Sequence, residues 1–215
     1  MNVYFISGLG VDRRVFQKLQ LPAHYHLHYL DWITPLPQEA MSHYAQRLAQ
    51  AINQLQPFAL IGLSFGGMIA TEITALLHPA KTIIISSASN KYELPPYFRM
   101  IGLTGLHQIV PISFLKKPNP LFHWLFGIVT QEEKVLFRNI IKDADNKVLQ
   151  WSINAVLRWP RKERPPGIVH IHGTADHILP IQFAKPDIVV PGGRHFMVYS
   201  MPEKLSQLIV GILKD

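Results

Sequence analysis

Phe58-Ala59-Leu60-Ile61-Gly62-Leu63-Ser64-Phe65-Gly66-Gly67 is the stretch on which the fold turns. Residues 58–62 form an apolar run with no polar break, as expected of a strand buried on both faces. Over residues 65–77 the apolar spacing becomes helical, and His78-Pro79 stops it. Between strand and helix stands Ser64, with glycine two positions before and two positions after it, the pattern G-x-S-x-G. A serine at so tight a strand-to-helix turn takes a strained backbone. Side chains two positions to either side would collide there, and Gly62 and Gly66 remove that conflict. The turn lifts the hydroxyl clear of the sheet, and the helix N-terminus behind it favours developing negative charge.

Outward from this stretch the same rhythm repeats. Residues 3–6 are a strand candidate that runs into Ser7-Gly8-Leu9-Gly10. Residues 25–30 alternate and predict a second strand, and His24, just before it, with His26 and His28 within it, falls into a structural role. Met41, Tyr44, Ala45, Leu48, Ala51, Ile52 and Leu55 predict an amphipathic helix over 40–55. Residues 82–86, 168–171 and 187–190 read as the fourth, fifth and sixth strands, and residues 202–213 as a last helix. Strands alternating with helices imply parallel βαβ units, hence a doubly wound, mostly parallel six-stranded α/β sheet.

One segment departs from the rhythm. Residues 89–166 contain no convincing strand and are rich in proline, leucine and aromatic residues, including Phe98, Phe122, Trp124, Phe126, Trp151 and Trp159. Helical spacing recurs over 131–141 and 147–157. The expected organisation is therefore a core of residues 1–88 and 167–215 with a helical insertion of residues 89–166. Most of its aromatics read as packing, and some as the wall of an apolar pocket.

Composition bounds the rest. The 215 residues suit one domain, and 48% hydrophobic against 16% charged residues is enough to bury a sizeable core. No apolar run approaches the ~18 residues of a membrane helix, and no basic leader precedes Val3-Tyr4-Phe5-Ile6, so a cytoplasmic location is expected. The absence of cysteine excludes disulfides, thiolate zinc sites and cysteine nucleophiles. The formal charge is +7, but the basic residues are scattered, which argues against a nucleic-acid partner. The one basic cluster, Arg158-Trp159-Pro160-Arg161-Lys162-Glu163-Arg164, reads as a solvated turn. No paired ligand spacing suggests a metal site, and no cofactor is implied. His170 and His172 share one face of a buried strand, where packing accounts for them.

A serine hydroxyl is a weak nucleophile and needs a base. Of 11 histidines, His195 in Gly192-Gly193-Arg194-His195-Phe196 stands apart, because it follows the sixth strand and precedes the last helix. That is the carboxyl edge of a parallel sheet, where sites assemble. Asp176, just after the fifth strand, is the candidate acid that would orient the imidazole and stabilise its cation. Asp187 begins a strand rather than ending one, and Asp143 and Asp145 fall in the insertion. Two converging backbone amides would complete the constellation as an oxyanion hole, one from Phe65 and one from Leu9 in the loop after the first strand.

Taken together, Ser7-Gly8-Leu9-Gly10, the Gly62 to Gly67 turn, His172-Gly173-Thr174-Ala175-Asp176 and Gly193-Arg194-His195 resemble the α/β-hydrolase superfamily in order and spacing, over nearly the whole chain. The resemblance implies a lid inserted after the fourth strand and a triad in the order serine, acid, histidine. This chain has Ser7-Gly8 where the family often has His-Gly. It also begins at what would be the family's third strand, which implies a minimal version of the fold without the antiparallel edge pair. Ser64 stands where dehalogenases and common epoxide hydrolases of the superfamily carry aspartate, which disfavours those activities. The expected chemistry is hydrolysis of a small-molecule carboxylic ester through an acyl-enzyme. Alternatives are a thioesterase, a C–C hydrolase or a lyase using the same triad, or a non-catalytic ligand receptor on the same scaffold. The oligomeric state is left open.

Overall fold

The computed structural model describes residues 1–105, 112, 116, 117 and 119–214. Six strands form one sheet: β1 (Asn2–Ile6), β2 (His26–Leu30), β3 (Phe58–Leu63), β4 (Lys81–Ile85), β5 (Ile168–Gly173) and β6 (Ile188–Val190). The order is β2-β1-β3-β4-β5-β6, and every neighbouring pair is parallel. The doubly wound parallel sheet expected from the sequence is therefore present. In chain order the described α-helices are α1 (Met41–Leu48), α2 (Phe65–Leu77), α3 (Pro96–Thr104), α4 (Pro120–Phe126), α5 (Gln131–Asp143), α6 (Asn146–Leu157), α7 (Met197–Ser200) and α8 (Pro202–Lys214). Among the described residues no helix is long and apolar enough to cross a membrane.

Alternation along the strands divides the core in two. Val3, Phe5, Ala59, Ile61, Ile83 and Ile85 face one side, where Leu205, Ile209 and Ile212 of α8 cover them. Tyr4, Ile6, Leu60 and Ile84 face the other side, against α1 and α2. Strands buried on both faces must be apolar throughout, which is why residues 58–63 carry no polar side chain. The chain winds outward in both directions from β1 and β3. Their following loops therefore diverge and leave a crevice at the carboxyl edge.

Helix α1 is shorter than the periodicity predicts. It passes into a 3-10 turn at Ala49–Ala51, Ile52 is extended, and Leu55 is 94% exposed rather than on the buried face. The cause is Asn53, whose side chain accepts from the Leu55 amide while its own amide donates to the Tyr4 hydroxyl. A local Asx turn of this kind competes with the helix and ends it.

Between β4 and β5 the described residues form no strand, and helices α3 to α6 occupy the segment. Positions 106–111, 113–115 and 118 of the expected insertion lie outside the described residues. Trp151, Val156 and Trp159 join the core on the α1/α2 side, and Ile128, Phe137 and Ile140 the opposite one. The segment is thus packed into the sheet's own cores. The basic cluster at 158–164 is a solvated turn only in part: Arg158, Lys162 and Glu163 are exposed, but Trp159, Arg161 and Arg164 turn inward. Arg161 binds both oxygens of the Glu72 carboxylate at 2.7 and 2.8 Å, and buried Trp159 donates to Glu72 at 2.8 Å. Arg164 pairs with Asp187 and the Ile168 carbonyl. The buried Glu72 carboxylate on α2 needs donors, and that need draws Trp159 and Arg161 inward.

Candidate active site

Ser64 joins β3 to α2 with φ 52° and ψ −121°, a backbone state that a residue bearing a Cβ adopts only under constraint. The constraint is steric. A Cβ on Gly62 would lie 2.5 Å from the Gly66 carbonyl oxygen, and one on Gly66 would lie 2.1 Å from the Ser7 carbonyl oxygen. The helix start therefore presses directly on β3 and on the loop after β1. The Ser64 amide donates to the Ile85 carbonyl at 2.9 Å, and the Ser87 hydroxyl donates to the Ser64 carbonyl at 2.6 Å.

His195 and Asp176 reach this turn from the far side of the sheet. Their loops are joined by the Ala175 amide donating to the Gly193 carbonyl (2.8 Å) and the Thr174 amide to the Val190 carbonyl (3.1 Å). A Cβ on Gly173 would stand 2.1 Å from the Gly193 oxygen, so only glycine lets the two loops meet. His195 Nε2 then lies 2.9 Å from Ser64 Oγ, and His195 Nδ1 lies 2.8 Å from Asp176 Oδ2. The Phe126 ring packs edge-on against the imidazole at 5.6 Å, and the Phe196 amide donates to the Phe126 carbonyl.

Asp176 is 3% exposed. Burial alone would raise its carboxyl pKa. The nearby His195 charge, the His195 hydrogen bond and the Leu179 amide outweigh burial and hold it below the ordinary carboxylate value. Its Oδ1 accepts from the Ile178 and Leu179 amides, both at 2.9 Å, which leaves Oδ2 for the imidazole. The other carboxylates weighed from the sequence are engaged elsewhere. Asp187 pairs with Arg164 and accepts the His170 amide, Asp143 pairs with Arg14, and Asp145 caps α6.

Leu9 and Phe65 both line a cavity of about 170 Å³ that opens on Ser64 and His195. Phe65 is the first residue of α2, so its amide has no acceptor within the helix. A Cβ on Gly8 would come 3.3 Å from that of Ser64, which shows how closely the loop after β1 approaches the hydroxyl. The remaining walls, left unassigned by the sequence, include Val11, Met68, Phe98, Phe126, Val156, Ile178, Leu179 and Phe196. Apart from Ser64 and His195 the lining side chains are apolar. Phe98 and Phe126 belong to the aromatic-rich segment that hinted at a pocket wall. Nothing in the spacing of Val11 or Met68 distinguishes them from core residues. Among the described residues no cluster of histidine and carboxylate groups could hold a metal ion.

No curated relative matches the sequence. The fold is shared with solved structures at low identity. A thermophilic esterase from Thermogutta terrifontis matches with a TM-score of 0.70 and 16% identity, over 100% of this chain and 89% of that one. An esterase from Exiguobacterium antarcticum matches at 0.68 and 17%, over 100% and 92%. A thioesterase from the prodiginine biosynthetic pathway in Streptomyces coelicolor matches at 0.66 and 14%, over 99% and 90%. At the sequence level, the model of the alpha/beta hydrolase family matches residues 3–208. That span takes in the sheet, the turn at Ser64 and the loops bearing Asp176 and His195, and the chain belongs to the alpha/beta hydrolase family.

Proposed function

We propose that the protein is a serine hydrolase that cleaves a small, uncharged carboxylic ester through an acyl-enzyme. The observation that carries this reading is the continuous contact of Ser64 Oγ, His195 and Asp176 at the mouth of an apolar cavity. Ser64 Oγ attacks the ester carbonyl while His195 Nε2 accepts the hydroxyl proton. Asp176 holds the imidazole in the tautomer with its proton on Nδ1 and stabilises the cation that forms. The Phe65 and Leu9 amides donate to the oxyanion. His195 returns the proton to the departing alcohol, and water, activated by the same imidazole, releases the acid.

Helices α3, α4 and α6 supply Phe98, Phe126 and Val156 to the cavity. This favours residues 89–166 as a lid over a core of residues 1–88 and 167–215. The cavity volume bounds the substrate. About 150 Å³ of apolar space holds a benzene molecule, so 170 Å³ suits acyl groups of about two to six carbons. A charge on the acyl group would be buried without a partner, which strongly disfavours it.

A fluorophosphonate probe is expected to label Ser64 alone. In a p-nitrophenyl ester series, kcat/KM is expected to peak at short acyl chains and fall beyond hexanoate, and a matched thioester tests the sulfur analogue. Ser64→Ala should lower kcat by as much as ~10⁶-fold. Folded protein that resists the probe, or a Ser64→Ala variant that turns over esters like the parent, would refute the mechanism. In the first case the scaffold would be that of a ligand receptor, and in the second the chemistry would run through another group.

A further inference from the structure

Behind Asp176 runs a file of buried polar side chains that the mechanism does not use. His170 and His172 on β5 are both 0% exposed, and Glu93, in the turn that opens the segment after β4, is 3% exposed. Imidazole nitrogens taken wholly out of water are costly unless they are hydrogen-bonded. His172 Nε2 lies 2.7 Å from the Leu179 carbonyl oxygen, and His172 Nδ1 lies 3.0 Å from His170 Nε2. Among the described residues His170 Nδ1 has no hydrogen-bond partner, and it faces Glu93 Oε2 at 3.8 Å.

Proton positions follow from these contacts. A carbonyl oxygen only accepts, so His172 Nε2 must carry the hydrogen. Burial pushes the pKa of His172 down, and Asp176 only partly offsets this, so the ring stays neutral and its Nδ1 presents a lone pair. That lone pair requires a donor, which makes His170 the Nε2–H tautomer as well. Burial above all, with the nearby Arg164 charge, takes His170 down to about 3 against the pull of Asp187 and Asp176. Its Nδ1 lone pair is thereby turned toward Glu93. The Glu93 carboxylate is held in place by the Ser89 amide, the Ser89 hydroxyl and the Asn90 side chain.

The Leu179 peptide is where this file meets the candidate triad. Its amide donates to Asp176 Oδ1 and its carbonyl accepts from His172. His172 Nε2 also stands 3.6 Å from Asp176 Oδ2, the oxygen that accepts from His195. We propose that His172 is a positioning residue that clamps the turn at residues 176–179 and so aims Asp176 at His195, with the Leu179 carbonyl and His170 fixing the His172 tautomer. On this assignment the histidine pair on β5, which its strand pattern accounts for as packing, is part of the working site. The proposal rests on the hydrolase reading for its catalytic consequence, and on hydrogen-bond geometry and burial for its proton positions.

The test compares His172→Phe, which fills the space without a donor, with His172→Gln, whose amide nitrogen can still reach the Leu179 carbonyl. Turnover is counted per site titrated by the fluorophosphonate probe, so a loss of folded protein does not enter. His172→Phe should lower kcat by about 10- to 100-fold, the usual size of an outer-shell effect, and leave KM nearly unchanged. The acid limb of its kcat/KM profile should move to lower pH, because a misaligned Asp176 stabilises the imidazolium less. His172→Gln should recover most of the activity. Unchanged kcat per titrated site and an unchanged pH profile in His172→Phe would overturn the proposal. Nitrogen-15 NMR of the parent protein tests it independently of any variant. His170 and His172 should both be Nε2–H tautomers, and an Nδ1–H tautomer at His172 would refute the assignment. If the parent neither reacts with the probe nor hydrolyses esters, the hydrolase reading falls, and the tautomers alone decide the file.

Discussion

Asp176 has two oxygens with two separate tasks, and the separation makes a single-atom change informative. Oδ1 closes the turn on the Ile178 and Leu179 amides, and Oδ2 receives His195 Nδ1. In Asp176→Asn the remaining oxygen can keep the turn closed, while the new amide group offers a donor to His195. The imidazole then places its proton on Nε2, where it can no longer accept from Ser64. We expect kcat to fall by roughly 10⁴-fold with little change in thermal midpoint. A variant that unfolds, or that keeps parental turnover, would contradict this division of labour. The candidate residues themselves were legible in the chain because each follows an apolar strand. The histidine file was not, since nothing in His170-Ile171-His172 tells which carbonyl or carboxylate will face those rings.

Glycines in different elements of this chain carry opposite demands. Gly66 in the first turn of α2 touches the carbonyls of Ile6 and Ser7 so closely that any side chain must push β1 away from α2. Gly66→Ala should destabilise the protein by at least ~3 kcal/mol, at the upper end of overpacking effects, and displace the serine turn with it. Gly211 in α8 has nothing within 4 Å of a built Cβ. Gly211→Ala should therefore stabilise by about 0.5–1 kcal/mol through helix propensity and a less flexible unfolded chain. Chemical denaturation of the two variants checks both signs, and a stabilised Gly66→Ala would show that the contact relaxes freely. Element limits were legible where a breaker is explicit, as at His78-Pro79 after α2. They were lost where a side chain competes locally, as Asn53 does at the end of α1.

Across the whole molecule, burial of neutral histidines sets a pH signature. His170 goes from an ordinary value of 6.5 down to about 3 on folding, and His172 moves in the same direction. The unfolded chain binds a proton at each site below about 6.5, and the folded chain does not. For His170 this contribution to stability is complete above that pH and is lost progressively as the pH falls toward about 3, at up to ~1.4 kcal/mol per pH unit, and His172 adds to the loss in the same direction. Asp176 and Asp187 are shifted down, so their contribution is lost only at lower pH, below about 4. Urea midpoints should therefore drop between about pH 6.5 and 5. The drop should be shallower in His170→Gln by up to one proton's slope, and an identical slope would refute the assignment.

Alternation, periodicity and glycine spacing are local properties of the chain. They were sufficient for the parallel α/β sheet, for the strained turn at Ser64, and for a loop residue of each type at the carboxyl edge. What encloses the site is set by residues far apart in sequence. Phe98, Phe126 and Val156 meet Val11 and Met68 only after β1 and β3 diverge and the segment after β4 folds back over them. The same holds for the inward turn of Trp159 and Arg161 and for the file from His170 to Asp176. Their partners are chosen by three-dimensional proximity and by the cost of leaving a buried polar atom unpaired, and neither is written in any one stretch of the chain.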